Sequence, residues 1–155
     1  MRISYLAFEA IKQFEGLRLE AYEDPAGVLT IGYGHTGSDV FEGDRISEYW
    51  AESTLKKDVM EVERQIDELD LQLTQGQLDA LVSFTFNLGI SRLKSSTLLK
   101  LIREGGSMRQ IKREFKRWVY ADGKLLPGLV KRREWEAKRF FESTLRTDED
   151  IINSI

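Results

Sequence analysis

Apolar residues recur at helical spacing from the start of the chain. Ile3, Leu6, Ala7, Ala10, Ile11 and Phe14 fall on one face, with Glu9, Lys12 and Gln13 on the other. The pattern predicts a helix over 3–15, ended by Gly16. The period then shortens to two. Residues 19–22 and 28–33 read as short strands, and Asp24-Pro25-Ala26-Gly27 between them is turn chemistry: Pro presets φ, Asp bonds local backbone and Gly accepts positive φ. The result is a hairpin. Two strands alone are marginal, so a third short strand is predicted near 39–42. Gly32 and Gly34 flank Tyr33 and mark a bend or a close backbone approach.

Beyond the sheet the pattern is helical. Ser47 caps a long helix to about residue 69, whose apolar stripe is Leu55, Val59, Val62, Ile66 and Leu69. The rest of its circumference is charged, as in a connector between two lobes. Thr74 and Gln77 form a capping box for a helix that is apolar nearly all round, from Ala80 to Leu88, and so reads as the buried centre of a helical lobe. Gly89 ends it. Ser96 or Thr97 starts a short helix through Arg103, closed by Gly105-Gly106. Ser107 and Gln110 form a second capping box, for a helix to about Tyr120 with Ile111, Phe115, Trp118 and Val119 inward. Asp122-Gly123 is a turn, and Pro127-Gly128 precedes a last helix from Leu129 to about Leu145, followed by a polar, frayed tail. The expectation is an α+β fold in one domain, 1–155. A small antiparallel sheet lobe over about 16–46 is joined by a connecting helix, about 47–70, to a mostly helical lobe, about 71–145, packed with helix 3–15.

Composition narrows the class. Hydrophobic residues make up 41% and charged residues 32%, a globular balance rather than a disordered or fibrous one. Cysteine is absent, which excludes disulfides and thiolate metal sites. The first dozen residues carry Arg2, Glu9 and Lys12 around an apolar core too short for a signal peptide, and no window suggests a membrane helix. The expected location is therefore the cytoplasm where the chain is made. The net charge of −3 hides an asymmetry: residues 1–90 carry 7 basic and 17 acidic side chains, residues 91–155 carry 16 and 9. The basic part reads either as an attractor of an anionic polymer or as a solvated helix face.

Candidate chemistry concentrates in FEGLRLEAYEDPAGVLTIGYGHTG, residues 14–37. Glu15 stands at a helix end, Asp24 in the hairpin turn, and Thr30 in the following strand. Two carboxylates and a hydroxyl suit glycoside hydrolysis, which needs one protonated and one ionised carboxyl group. Glu15 against an apolar helix fits the first role, Asp24 in a polar turn the second, and Thr30 can hold a water between them. Spacing alone leaves a solvated helix-end acid, a turn former and an ordinary strand threonine as the competing readings.

The stretch closely resembles the active-site segment of phage-type lysozymes, the endolysins of glycoside hydrolase family 24. The carriers are Glu15-Gly16, Tyr22-Glu23-Asp24 and Thr30-Ile31-Gly32-Tyr33-Gly34-His35, then residues 74–81, Phe86-Asn87-Leu88-Gly89, residues 96–99 and residues 128–133, in family order. The resemblance implies a lysozyme-like fold and cleavage of the β-1,4 bond between N-acetylmuramic acid and N-acetylglucosamine in peptidoglycan. It implies Glu15 as general acid, Asp24 orienting or activating the attacking water, and Thr30 helping to place it. It implies inversion at the anomeric carbon, with the carboxylates then roughly 6.5–9.5 Å apart. It makes His35 structural, paired with Asp58 on the long helix; such a pair would raise the histidine pKa. No metal or cofactor is implied. The implied setting is a monomer in the host cytoplasm that reaches the cell wall after release by a holin-type pore protein, without stable membrane association.

Phe84, Phe86, Phe115, Trp118, Phe140 and Phe141 read as core, and Tyr33 and Phe41 as the better candidates for sugar contact. The competing functions are a lytic transglycosylase, a non-catalytic peptidoglycan-binding protein, and a nucleic-acid binder built on Arg109–Arg117 and Lys131–Arg139. Intact Glu15, Asp24 and Thr30 favour hydrolysis, so peptidoglycan rather than nucleic acid is the expected partner.

Overall fold

Helix α1 spans Tyr5–Glu15 in a computed structural model that describes residues 1–142. It starts two residues later than its apolar pattern because Ser4 caps it, the hydroxyl accepting the Ala7 N–H at 3.2 Å. Strands β1 (Arg18–Glu23), β2 (Leu29–Gly32) and β3 (His35–Thr36) form an antiparallel sheet in the order β1-β2-β3. The third strand is thus His35–Thr36 and not 39–42. Residues 37–44 are turns instead, closed by Val40 N–H to Gly37 carbonyl, Asp44 N–H to Phe41 carbonyl, and Phe41 N–H to the Asp44 carboxylate. The chain then returns along the free edge of β1, through an isolated Glu20–Arg45 bridge flanked by bonds from Ala21 N–H to Asp44 and from Ile46 N–H to Leu19. Helix α2 (Glu48–Asp67) follows, with Ser47 accepting the Trp50 N–H. On its predicted stripe Leu55, Val59 and Ile66 are buried, and Val62 and Leu69 half-buried.

The chain divides into two compact units. One is Glu9–Glu61, which holds the three-stranded sheet; the other is Met1–Phe8 with the chain from Val62 onward. Helices α1 and α2 each contribute residues to both.

The second unit is helical. Helix α3 (Gln75–Leu88) begins in the predicted capping box, Thr74 accepting the Gln77 N–H and the Gln77 side chain accepting the Thr74 N–H. Leu78, Ala80, Leu81, Val82 and Phe84 are fully buried on it. A short α4 (Ile90–Ser95) that the sequence pattern missed precedes α5 (Thr97–Glu104). Helix α6 (Met108–Lys116) starts in the Ser107–Gln110 capping box but stops before Tyr120. Its last predicted turn is replaced by a hairpin, β4 (Tyr120–Ala121) and β5 (Lys124–Leu125), around Asp122-Gly123. Both turn residues have positive φ, 50° and 74°, the backbone that a two-residue hairpin loop requires. Helix α7 runs Pro127–Phe140, capped by Phe141. It therefore ends short of Leu145; residues 143–155, with the tail expected from Arg146, lie outside the described residues.

Helices α3 and α7 pack together around an aromatic cluster. Phe84 meets Phe115 and Trp118 edge-on at 5.8 and 5.7 Å, and Phe115 meets Phe140 at 5.7 Å. Edge-to-face pairs of this kind add about 0.5–1.5 kcal/mol beyond their burial. Buried ions are woven through the same packing. Asp79, fully buried on α3, accepts from Ser4 N–H, the Ser4 hydroxyl, Gln75 and the Arg139 guanidinium, the last at 2.7 and 2.9 Å. Glu136, fully buried on α7, accepts the Ser83 hydroxyl at 2.6 Å and pairs with Arg133 at 2.7 Å.

Candidate active site

The Glu9–Glu61 unit carries every polar residue of the 15–37 stretch. Helix α1 stops at Glu15, with Gly16 N–H still bonded to the Lys12 carbonyl at 3.0 Å. Glu15, in the final turn, is half-buried. Its carboxylate rests on the backbone of the β2–β3 turn. Gly34 there has φ +77°, and a Cβ built on it would stand 2.9 Å from Glu15 Oε2, closer than side-chain carbons approach. Two properties of glycine are used at once: the left-handed backbone that turns the chain, and the missing side chain that admits the carboxylate.

Asp24 ends the hairpin ladder. Its N–H bonds the Val28 carbonyl at 3.0 Å, and its Oδ1 accepts the Ala26 and Val28 N–H groups, both at 2.9 Å. These bonds fix the carboxylate's orientation and involve one oxygen only. Thr30 lies in the central strand, paired with Tyr22 on one side and Thr36 on the other. It is buried, and its hydroxyl donates to the Val28 carbonyl at 3.0 Å, so its lone pairs remain to accept. The register Tyr22↔Thr30 and Glu23↔Leu29 puts Asp24 and Thr30 on one face of the hairpin. Diagonal neighbours on such a face stand about 7–8 Å apart.

His35 faces the other way. Its Nδ1 lies 2.7 Å from Asp58 Oδ2 on α2, and its Nε2 is 3.1 Å from both carboxylate oxygens of Asp39. Each ring nitrogen thus meets an acceptor, which only the imidazolium can satisfy with two N–H donors. Burial works against that charge, but the hydrogen bonds and fields of Asp58 and Asp39 outweigh it, and the His35 pKa is raised. Asp39 is held below the usual carboxylate range by the same hydrogen bond. Trp50 packs edge-on to the ring at 6.2 Å.

Tyr33 is half-buried under the Lys12 ammonium, 5.6 Å from the ring centroid. Phe41 is 63% exposed in the loop that follows β3. Sequence reasoning missed two members of this region. Asp39 is a second carboxylate on His35, signalled only by its place four residues on, and Gly34 seats Glu15. Among the described residues no cluster of three His, Asp or Glu side chains is placed to hold a metal ion.

The helix-end glutamate seated on a glycine turn and the hairpin bearing the aspartate and the threonine belong to one unit of an α+β fold. Comparison with known proteins agrees. The model of the phage lysozyme family matches residues 12–136. The endolysin of Bacillus phage B103 is 46% identical over 143 residues, covering 90% of this chain and 54% of that protein. The endolysin of Acyrthosiphon pisum secondary endosymbiont phage 1 is 42% identical, covering 92% of this chain and 99% of its own. Among solved structures, the muramidase domain of SpmX from Asticaccaulis excentricus superposes with a TM-score of 0.83 at 35% identity, covering 92% of this chain and 99% of that one. The chain belongs to the phage lysozyme family. It spans about half the length of the Bacillus phage endolysins that it matches.

Proposed function

We propose that the chain is an N-acetylmuramidase that hydrolyses the β-1,4 bond between N-acetylmuramic acid and N-acetylglucosamine of bacterial peptidoglycan. The observation that carries this is the seat of Glu15 on Gly34, in the same unit as a hairpin face that bears Asp24 and Thr30. Glu15 gives its proton to the leaving glycosidic oxygen. A water donates one hydrogen bond to Thr30 Oγ1 and another to Asp24, and its oxygen attacks the anomeric carbon as the bond to the leaving oxygen breaks. The water proton passes to Asp24, so Glu15 finishes ionised and Asp24 protonated, and exchange with solvent resets both. Attack opposite the leaving group inverts the anomeric carbon. His35 and Asp58 act as structure, tying β3 to α2. Tyr33 and Phe41 are the sugar contacts of this reading.

Its relatives support the activity: they are endolysins from phages and a muramidase domain. On this reading the chain acts as a monomer and without a cofactor. It acts on the wall from within the host after release by a holin-type pore protein. No helix among the described residues is long and apolar enough to cross a membrane. Mass spectrometry of digested peptidoglycan tests the reaction: reducing-end muropeptides are expected, and 1,6-anhydro products would overturn hydrolysis in favour of transglycosylation. Proton NMR of the first product anomer tests inversion. Finding the protein outside cells that lack a pore protein would refute the release route.

A further inference from the structure

The sheet unit has a concavity that the hydrolytic reading does not use. A cavity of about 310 Å³ is lined by Ile31, Asp39, Asp44, Arg45, Ile46, Ser47 and Trp50. Neighbouring strand residues point to opposite faces, so Ile31 and His35 mark the face of the sheet turned away from Thr30 and Asp24. The cavity lies on that face.

We propose that this cavity is a second saccharide site, which takes an N-acetylhexosamine unit of a β-1,4-linked glycan away from the bond being cut. The inference rests on the muramidase reading for the source of its ligand. The volume is at the lower end of the range for small-ligand pockets, about 300–1,000 Å³. The lining matches a pyranose ring, which has apolar C–H faces and a polar rim. Trp50, 39% exposed, supplies an aromatic wall, and Ile46 with Ile31 supplies apolar surface for an acetamido methyl. The polar groups retain unused capacity. The Ser47 hydroxyl accepts the Trp50 N–H and donates to nothing among the described residues; Asp44 uses Oδ2 on Phe41 N–H; Asp39 keeps lone pairs beyond those facing His35. Arg45 is paired with Glu20 alone and is mostly exposed, so its other N–H groups face solvent. Donors and acceptors thus alternate around one aromatic ring, the chemistry that recognises hydroxyl and amide groups of a sugar.

The wall is also pre-set. Trp50 packs against the His35 ring, which Asp58 and Asp39 hold from both sides, so little side-chain freedom is left to lose when a ring stacks on it.

The test uses the full chain with Glu15→Gln, to block turnover, titrated with the N-acetylglucosamine tetramer. Amide signals of Asp44, Arg45 and Ile46, the Trp50 indole, and the ring of His35, the sole histidine, are followed by NMR. Saturable shifts at these positions are expected. Adding Trp50→Ala should weaken that binding about tenfold and lower the melting temperature somewhat, since the ring is more than half buried, and Trp50→Phe should restore most of both. Shifts confined to Glu15, Thr30 and Gly34, or equal affinity in the Trp50→Ala variant, would overturn the proposal. The two readings fail separately. A wild type that leaves peptidoglycan uncut while the Trp50 signals still shift refutes the muramidase and not the site; a wild type that cuts it while those signals stay fixed refutes the site alone.

Discussion

The two units of the chain handle charge in opposite ways. Glu9–Glu61 carries five basic and twelve acidic side chains, too few cations to pair its carboxylates, and half of these acids lie in the strands and turns of the sheet. The helical unit encloses several ions among partners: Asp79 has Ser4, Gln75 and Arg139, and Glu136 has Ser83, Arg132 and Arg133. Burial pushes the Glu136 pKa up, with Arg133 and Arg132 opposing it. The contrast separates two uses of a carboxylate. Where chemistry is proposed, the acid is seated by backbone and left partly open; where helices must pack, it is enclosed among hydroxyl and guanidinium partners. Removing a seated acid should cost rate, and removing an enclosed one should cost the fold.

The largest effect follows from Glu15. Glu15→Gln should lower peptidoglycan turnover by about 10²–10⁴-fold, the scale of a lost general acid, and leave the melting temperature nearly unchanged. A turbidity assay with a thermal melt checks both halves. Asp79→Ala should do the converse. It leaves the Arg139 guanidinium, which has 6% side-chain exposure, with Glu142 as its one remaining carboxylate at 2.7 Å, and should cost about 3 kcal/mol in urea unfolding, while folded molecules keep their specific activity.

Gly34→Ala tests the seat itself. The added carbon meets Glu15 Oε2 at 2.9 Å on a backbone with φ +77°, so the carboxylate must shift. Activity should fall about 10–100-fold with a stability loss of only about 1 kcal/mol, a pattern between the first two. The smallest effect is in pH dependence. The folded pKa of His35 is raised above the ordinary value of about 6.5, so its stabilisation is full below that pH and is lost as pH rises through the raised value. Asp58→Asn should flatten that part of the stability–pH curve, measured by thermal melts across pH 5–9.

Local signals made much of this legible from residues alone. Both capping boxes lie where Thr74-Gln77 and Ser107-Gln110 put them, because a cap is a short-range bond. The hairpin turn at Asp24 was readable for the same reason. Helix α4 was not, being six residues long and having no side-chain cap on Gly89. The β4–β5 hairpin was half readable: Asp122-Gly123 announces the turn, but strands of two residues have no period to detect. Buried charges are the hardest case. Asp79, Glu136 and Arg139 look like solvated helix positions until partners from distant segments meet them. The contact of Gly34 with Glu15 was hidden likewise, since eighteen residues lie between them. What a spacing cannot encode is which distant group closes on it.

One consequence concerns the order of synthesis. Ser4 and Arg139 bind the same carboxylate of Asp79, yet a ribosome delivers them 135 positions apart. Until α7 emerges, the middle of the helical unit carries an anion whose guanidinium partner has not been translated. The opening residues therefore cannot settle early in translation. The unit completes in one late closure, so a chain truncated before α7 is a poor folder however much of the sheet it already contains.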